Sequence, residues 1–159
     1  MRQYYGKYRG QVRNNLDPLN IGRIEVSVPA VLGDGQGWAT PCVPYAGPGV
    51  GLFALPPVGA AVWVEFENGD PDYPIWAGCF WGPNELPQAA SSPLTKVLRT
   101  GLVTITLTDA PGAPSVIVET QSNMKLVIDA GGIELTNGTA SVKLAGTKVL
   151  LNGGALEVE

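Results

Sequence analysis

The chain has 159 residues, a net charge of −4 and no histidine. Without histidine it cannot build a Ser-His-Asp triad, a Cys-His pair or a His-ligated metal centre. Gly (21) and Pro (14) exceed a fifth of the residues, yet 45 % are hydrophobic and fall in short alternating runs, a pattern of short strands and tight turns rather than of disorder.

The length suits one small domain with an extension. No stretch approaches the roughly 20 apolar residues of a membrane-spanning helix. The first ten residues lack the apolar core of a signal peptide, which points to folding in a cytoplasm. On that expectation Cys42 and Cys79 are reduced, buried, structural thiols.

Five of the ten basic residues lie in the first 23 positions, Arg2, Lys7, Arg9, Arg13 and Arg23. From residue 24 to 95 there is no Lys or Arg, against seven acidic residues. All prolines but Pro111 and Pro114 lie at or before Pro93. These boundaries place a linker across residues 82–93 and divide the chain into domains 1–88 and 89–159.

In the first zone residues 9–12 and 23–28 alternate at period two, with Ile24, Val26 and Val28 on one face. Asp17, Pro18 and Asn20 supply the turn between these strands, and Pro29 ends the second. A strand is expected near residues 38–43, and residues 47–51 read as a loop. Val62, Val64 and Phe66 alternate again, Asn68 and Gly69 mark a hairpin, and residues 73–81 return. About five short strands with no helical periodicity suit a small closed barrel.

The second zone follows another rule. Residues 100–108 alternate, Val116 and Val118 follow, and then apolar pairs recur as Leu126/Ile128, Ile133/Leu135, Val142/Leu144, Val149/Leu151 and Leu156/Val158. Their near-heptad spacing does not make a coiled coil, because the apolar positions are two and five apart instead of three and four. Strands of about five residues, each ended by a Gly or Asn bend, satisfy both the pairs and the repeat. One copy of so short a stack buries too little surface to hold itself together and leaves strand edges uncovered. Copies wound about a common axis solve both difficulties. Leu126, Ile128, Ile133, Leu135, Val142, Leu144, Val149 and Leu151 would then face inward, with Lys125, Glu134 and Lys143 outward.

Residues 22–29 (Gly22, Arg23, Ile24, Glu25, Val26, Ser27, Val28, Pro29), followed by Pro56, Gly59, Val62, Val64, Phe66, Gly69, Asp70 and Pro74, resemble the OB-fold domain of the central-spike proteins of contractile phage baseplates. Type VI secretion spikes and phage-like injection particles share that domain. The resemblance implies an all-β homotrimer, an N-terminal OB-fold barrel followed by a C-terminal intertwined triple-stranded β-helix forming a needle. It implies a virion baseplate or injection particle, assembled in the host cytoplasm, that touches a target cell envelope only transiently. No hub domain precedes the barrel and no lysozyme insertion follows it, so a separate hub protein is expected at the barrel end. Relatives that close their apex with a His-bound metal cannot be copied by a chain without histidine, so a separate tip-capping protein is expected on Leu156 and Val158.

Four other readings are weighed on the residues. An OB barrel binding an oligonucleotide or glycan is the alternative function, but nucleic acid needs basic residues beside its aromatics, and residues 24–95 carry none. Trp38, Trp63, Trp76 and Trp81 therefore read as core or interface residues. Asp70 and Asp72 fall short of a calcium ligand set and read as turn caps; Glu65 and Glu67, about 7 Å apart along a strand, read as a solvated face. Arg2, Lys7, Arg9 and Arg13 are either a solvated first strand or a docking patch for an acidic hub surface. No catalytic residue, cofactor or metal is expected.

Overall fold

The computed structural model describes residues 2–88, 90 and 92–158. Two compact units divide the chain, Met1–Glu85 and Leu86–Glu159. Among the described residues no helix is long and apolar enough to cross a membrane.

The first unit contains β1 (Tyr8–Asn14), β2 (Ile24–Ser27), a single helical turn α1 (Pro29–Leu32), β3 (Gln36–Pro41), β4 (Ala46–Gly47), β5 (Val50–Gly51), β6 (Ala61–Phe66) and β7 (Pro74–Cys79). Five of these strands close into a barrel in the order β1-β2-β3-β7-β6. β1 pairs antiparallel with β2 on one side and β6 on the other, and β3 meets β7 in parallel. The alternation seen in the sequence decides which side chains fill it: Ile24, Val26, Val28, Val62 and Val64 are fully buried, with Val12, Ala39, Phe66 and Trp76 completing the core. Gly10 lets β1 cross the barrel closely, since a Cβ there would sit 3.0 Å from Val64 Cγ2 and 3.1 Å from the Ser27 carbonyl oxygen. In β7 a bulge inserts one residue between the partners of Val62 and Val64, and Gly78 takes it at φ 125°.

Several details differ from the sequence reading, each for a local reason. Pro29 does more than end a strand. A proline is favoured in a first helical turn, where its missing N–H costs nothing, so α1 starts there and stops at Gly33, φ 58°. β3 begins two residues earlier than expected because its register is set by β2, with Ser27 opposite Gln36 and Ile24 opposite Ala39. The loop at 47–51 closes into the small β4–β5 ladder, with Gly49 supplying the positive φ of its turn at 72°. The two cysteines are unpaired as expected, but they are exposed rather than buried. Cys42 lies just past the end of β3 and Cys79 is the last residue of β7, so neither reaches the closed part of the barrel.

The second unit is one eight-stranded sheet. Its strands are β8 (Thr95–Arg99), β9 (Val103–Ala110), β10 (Ala113–Thr120), β11 (Lys125–Asp129), β12 (Gly132–Thr136), β13 (Ser141–Ala145), β14 (Lys148–Leu151) and β15 (Leu156–Val158). They follow one another in sequence order, every neighbouring pair antiparallel. The strands and bends fall where the repeated apolar pairs place them. The ladder is different. The sequence reading left each strand edge to be covered by another copy, whereas within the chain each strand is paired by its successor, and among the described residues of this sheet only β8 and β15 keep an open edge. Reversal at every bend is why a seven-residue offset keeps all pairs on one face: Leu126 stands opposite Leu135 and Ile128 opposite Ile133.

Candidate functional site

The strand pairings assemble two continuous rows across one face of the second unit. Leu98, Ile105, Val118, Leu126, Leu135, Val142, Leu151 and Leu156 form the first. Leu107, Val116, Ile128, Ile133, Leu144, Val149 and Val158 follow Lys96 in the second. None of these side chains is buried in the single chain; Leu98 is 63 % exposed and Leu135 54 %. The usual order of burial is inverted in β12 and β13, where Ile133, Leu135, Val142 and Leu144 are exposed while Glu134, Thr136, Ser141 and Lys143 are half-buried. A groove of about 450 Å³ runs beside the first row, lined by Val118, Met124, Leu126, Leu135 and Val142. A contiguous apolar face of this size is a surface built to be covered, because each such side chain gains roughly 1.5–3 kcal/mol on full burial.

The opposite face is mixed, with Val97, Ile117, Val127 and Leu150 half-buried in the row that also holds Thr106, Glu134 and Lys143. Thr104, Thr106 and Thr108 line β9, Glu134 faces Lys143 across β12 and β13 with 3.7 Å between charged atoms, and Glu119 lies 3.9 Å from Lys125. Polar groups there already have partners or solvent, so the covering partner belongs on the apolar side.

All eight residues named for an inward core, and Leu156 and Val158 beyond them, lie in the two rows. Leu98, Ile105, Leu107, Val116 and Val118 extend the rows and were missing from that set. Their alternation was visible in the sequence, but β9 and β10 are eight residues long, so the seven-residue spacing that flagged the later pairs does not run through them.

Each of the basic residues Arg2, Lys7, Arg9 and Arg13 has a partner within the chain. The Arg2 guanidinium lies 5.5 Å from the centre of the Tyr4 ring, and Lys7 is paired with Glu65 at 2.6 Å. Arg9 stacks on Trp63 and Phe80 at 5.1 and 4.8 Å, and Arg13 Nε donates to Ser27 Oγ at 2.9 Å. Glu65 is thus occupied by a lysine, and the Asp70 Oδ1 accepts the Asp72 N–H at 3.0 Å, as a turn cap does. Trp76 is in the core, Trp38 lies under Arg23, and Trp81 is exposed. Among the described residues no group of three or more Cys, Asp or Glu side chains is placed to hold a metal ion.

One carboxylate in the barrel is strongly held. Asp17 accepts from Arg23 Nε and Nη2 at 3.1 and 2.8 Å and from the backbone N–H groups of Leu19, Ile21 and Arg23, and its side chain is 3 % exposed. The Arg23 hydrogen bond holds its pKa well below the carboxylate range; burial opposes this, and the three backbone donors reinforce it. The result is a fixed β1–β2 loop, with no free group for chemistry.

Comparison with known proteins matches this geometry in both units. Residues 8–81 match the type VI secretion system/phage-baseplate injector OB domain, and residues 95–157 match the phage baseplate V C-terminal trimerisation domain. The chain is also similar to the type VI secretion system spike protein VgrG3 of Vibrio cholerae, 31 % identical over 123 residues. That alignment takes in 69 % of this chain and only 12 % of the relative. The first match takes in the barrel and the second the eight-stranded sheet, the two together span most of the chain, and the chain belongs to the baseplate-spike family of contractile phages and type VI secretion systems.

Proposed function

We propose that this chain is the structural central spike of a contractile injection device, carrying a membrane-piercing needle below the tube and performing no reaction. The observation that carries the reading is the open face of the second unit, fifteen apolar side chains in two rows in the part of the chain that matches a trimerisation domain. Three copies meeting on that face exclude water from the rows and leave the Thr, Glu and Lys face outside. Stiffness then comes from a dry axial core, and the thrust of sheath contraction passes through it to a target envelope. Domain 1–88 would serve as the attachment and domain 89–159 as the needle.

Two partners complete the proposal. A separate hub protein seats the barrel, with Arg2, Lys7, Arg9 and Arg13 offered to it; Lys7 is the weakest of these because Glu65 already neutralises it. A separate tip protein covers Leu156 and Val158, which are both 55 % exposed on the strand that bounds the sheet. Assembly takes place in the host bacterial cytoplasm, and contact with the envelope is transient.

Light scattering or native mass spectrometry of the purified chain tests the central claim. A trimer at micromolar concentration is expected, and a monodisperse monomer would overturn it. Co-expression with hub and tip candidates from the same gene cluster tests the partners. The L156D/V158D variant should lose the tip protein and keep the hub.

A further inference from the structure

The two rows of the open face hold sixteen positions, and Lys96 on β8, opposite Leu107, is the one that is not apolar. Its ammonium is paired with the carboxylate of Asp109, which lies two residues beyond Leu107 on β9 and so on the same face. The backbone holds Asp109 in place, since its N–H donates to the Leu94 carbonyl at 2.8 Å. In the single chain the two side chains are 54 % and 64 % exposed. An ion pair so exposed adds little to the stability of one chain. Its position at the head of an otherwise apolar stripe needs another reason.

The stripe itself gives one. Because the same apolar pair recurs on strand after strand, a copy displaced by two strands, about 10 Å, still meets apolar side chains with apolar side chains. Hydrophobic contact alone therefore specifies that copies associate and does not specify their alignment. A charged position breaks the degeneracy. Resting on the trimer proposed above, we infer that the Lys96–Asp109 pair is the register key of the assembly. In the aligned trimer three pairs lie at one level, where each charge has opposite charges for neighbours. In a slipped trimer a pair is pressed against the leucines and valines of another copy, and the desolvation of its charges is not offset. A single polar position in an apolar seam specifies alignment in coiled coils by the same physics, at some expense in stability.

The test separates alignment from association. In a C42S/C79S background, E119C on the opposite face carries a nitroxide, and pulsed electron spectroscopy reads the distances between copies. The unchanged pair should give a trimer mass with a single distance, and K96R should keep both. K96L/D109L should keep the trimer mass and a melting temperature no lower than its parent, while its distances broaden or split to include longer separations, an axial slip of about 10 Å adding in quadrature to the distance across the axis. A single unchanged distance in K96L/D109L would overturn the register role, as would loss of the trimer, which would make the pair a source of stability. A parent chain that is monomeric would instead remove the trimer reading, and this inference with it.

Discussion

Gly132 shows how little freedom single positions have in the sheet. It opens β12 at φ 122°, and a Cβ added there would lie 1.9 Å from the Leu144 carbonyl oxygen on the adjoining strand. Neither the backbone nor that oxygen can move aside without breaking the β12–β13 ladder. Gly132→Ala should therefore cost about 2 kcal/mol or more, read as a lowered denaturation midpoint. Asp17 makes the complementary case in the barrel. Its pKa is lower in the folded chain than its unfolded value of about 4, so its stabilising effect is complete above that pH and is lost as pH falls below it. Melting temperature measured from pH 6 down to pH 2 should fall for the parent, and Asp17→Asn should be less stable at pH 6 with a flatter decline. The sequence marks Asp17 as a turn residue through its neighbours Pro18 and Asn20. It does not reveal that Arg23 returns to the same carboxylate, because that contact depends on the path of the whole loop.

At the scale of strands, phase carries most of the information. Ile24, Val26, Val62, Val64 and Phe66 were legible as an inward face by alternation alone, and the later apolar pairs were legible as one face by their spacing. Pairing partners were not legible, since neither period says whether a strand edge meets its own chain or another. Exposed ends defeat the same logic, as Cys42 and Cys79 illustrate: apolar surroundings in sequence do not place a residue inside when it lies past the end of its strand. Val142→Asp puts a carboxylate into the apolar row of every copy, several kcal/mol per buried ion, and should abolish the trimer in size-exclusion chromatography. The outward control must respect the ladder. Lys143 stands opposite Glu134, so Lys143→Asp would add a repulsion, whereas Lys143→Gln should shift stability by less than about 1 kcal/mol. Equal damage from V142D and K143Q would mean that the covered face is the other one.

For the whole molecule, the barrel and the sheet obey different rules of stability. The barrel has a buried core of its own, while no described side chain of the second unit is buried. The barrel should therefore unfold at a temperature independent of protein concentration, and the sheet at one that rises with concentration, as linked association requires. Calorimetry across a hundredfold range of concentration separates the two transitions. A concentration-independent profile throughout would contradict a sheet that depends on its partners.

The sequential order of β8 to β15 has a mechanical consequence as well. Strands that follow one another across the sheet direct their backbone hydrogen bonds along its long dimension, seven ladders in series at about 4.8 Å each. Squeezed along that direction, the strands are already near contact and resist as a closely packed solid does. Pulled along it, the same ladders would separate one after another, each exposing the next. A sheet of this kind resists compression along its ladders and yields to tension along them.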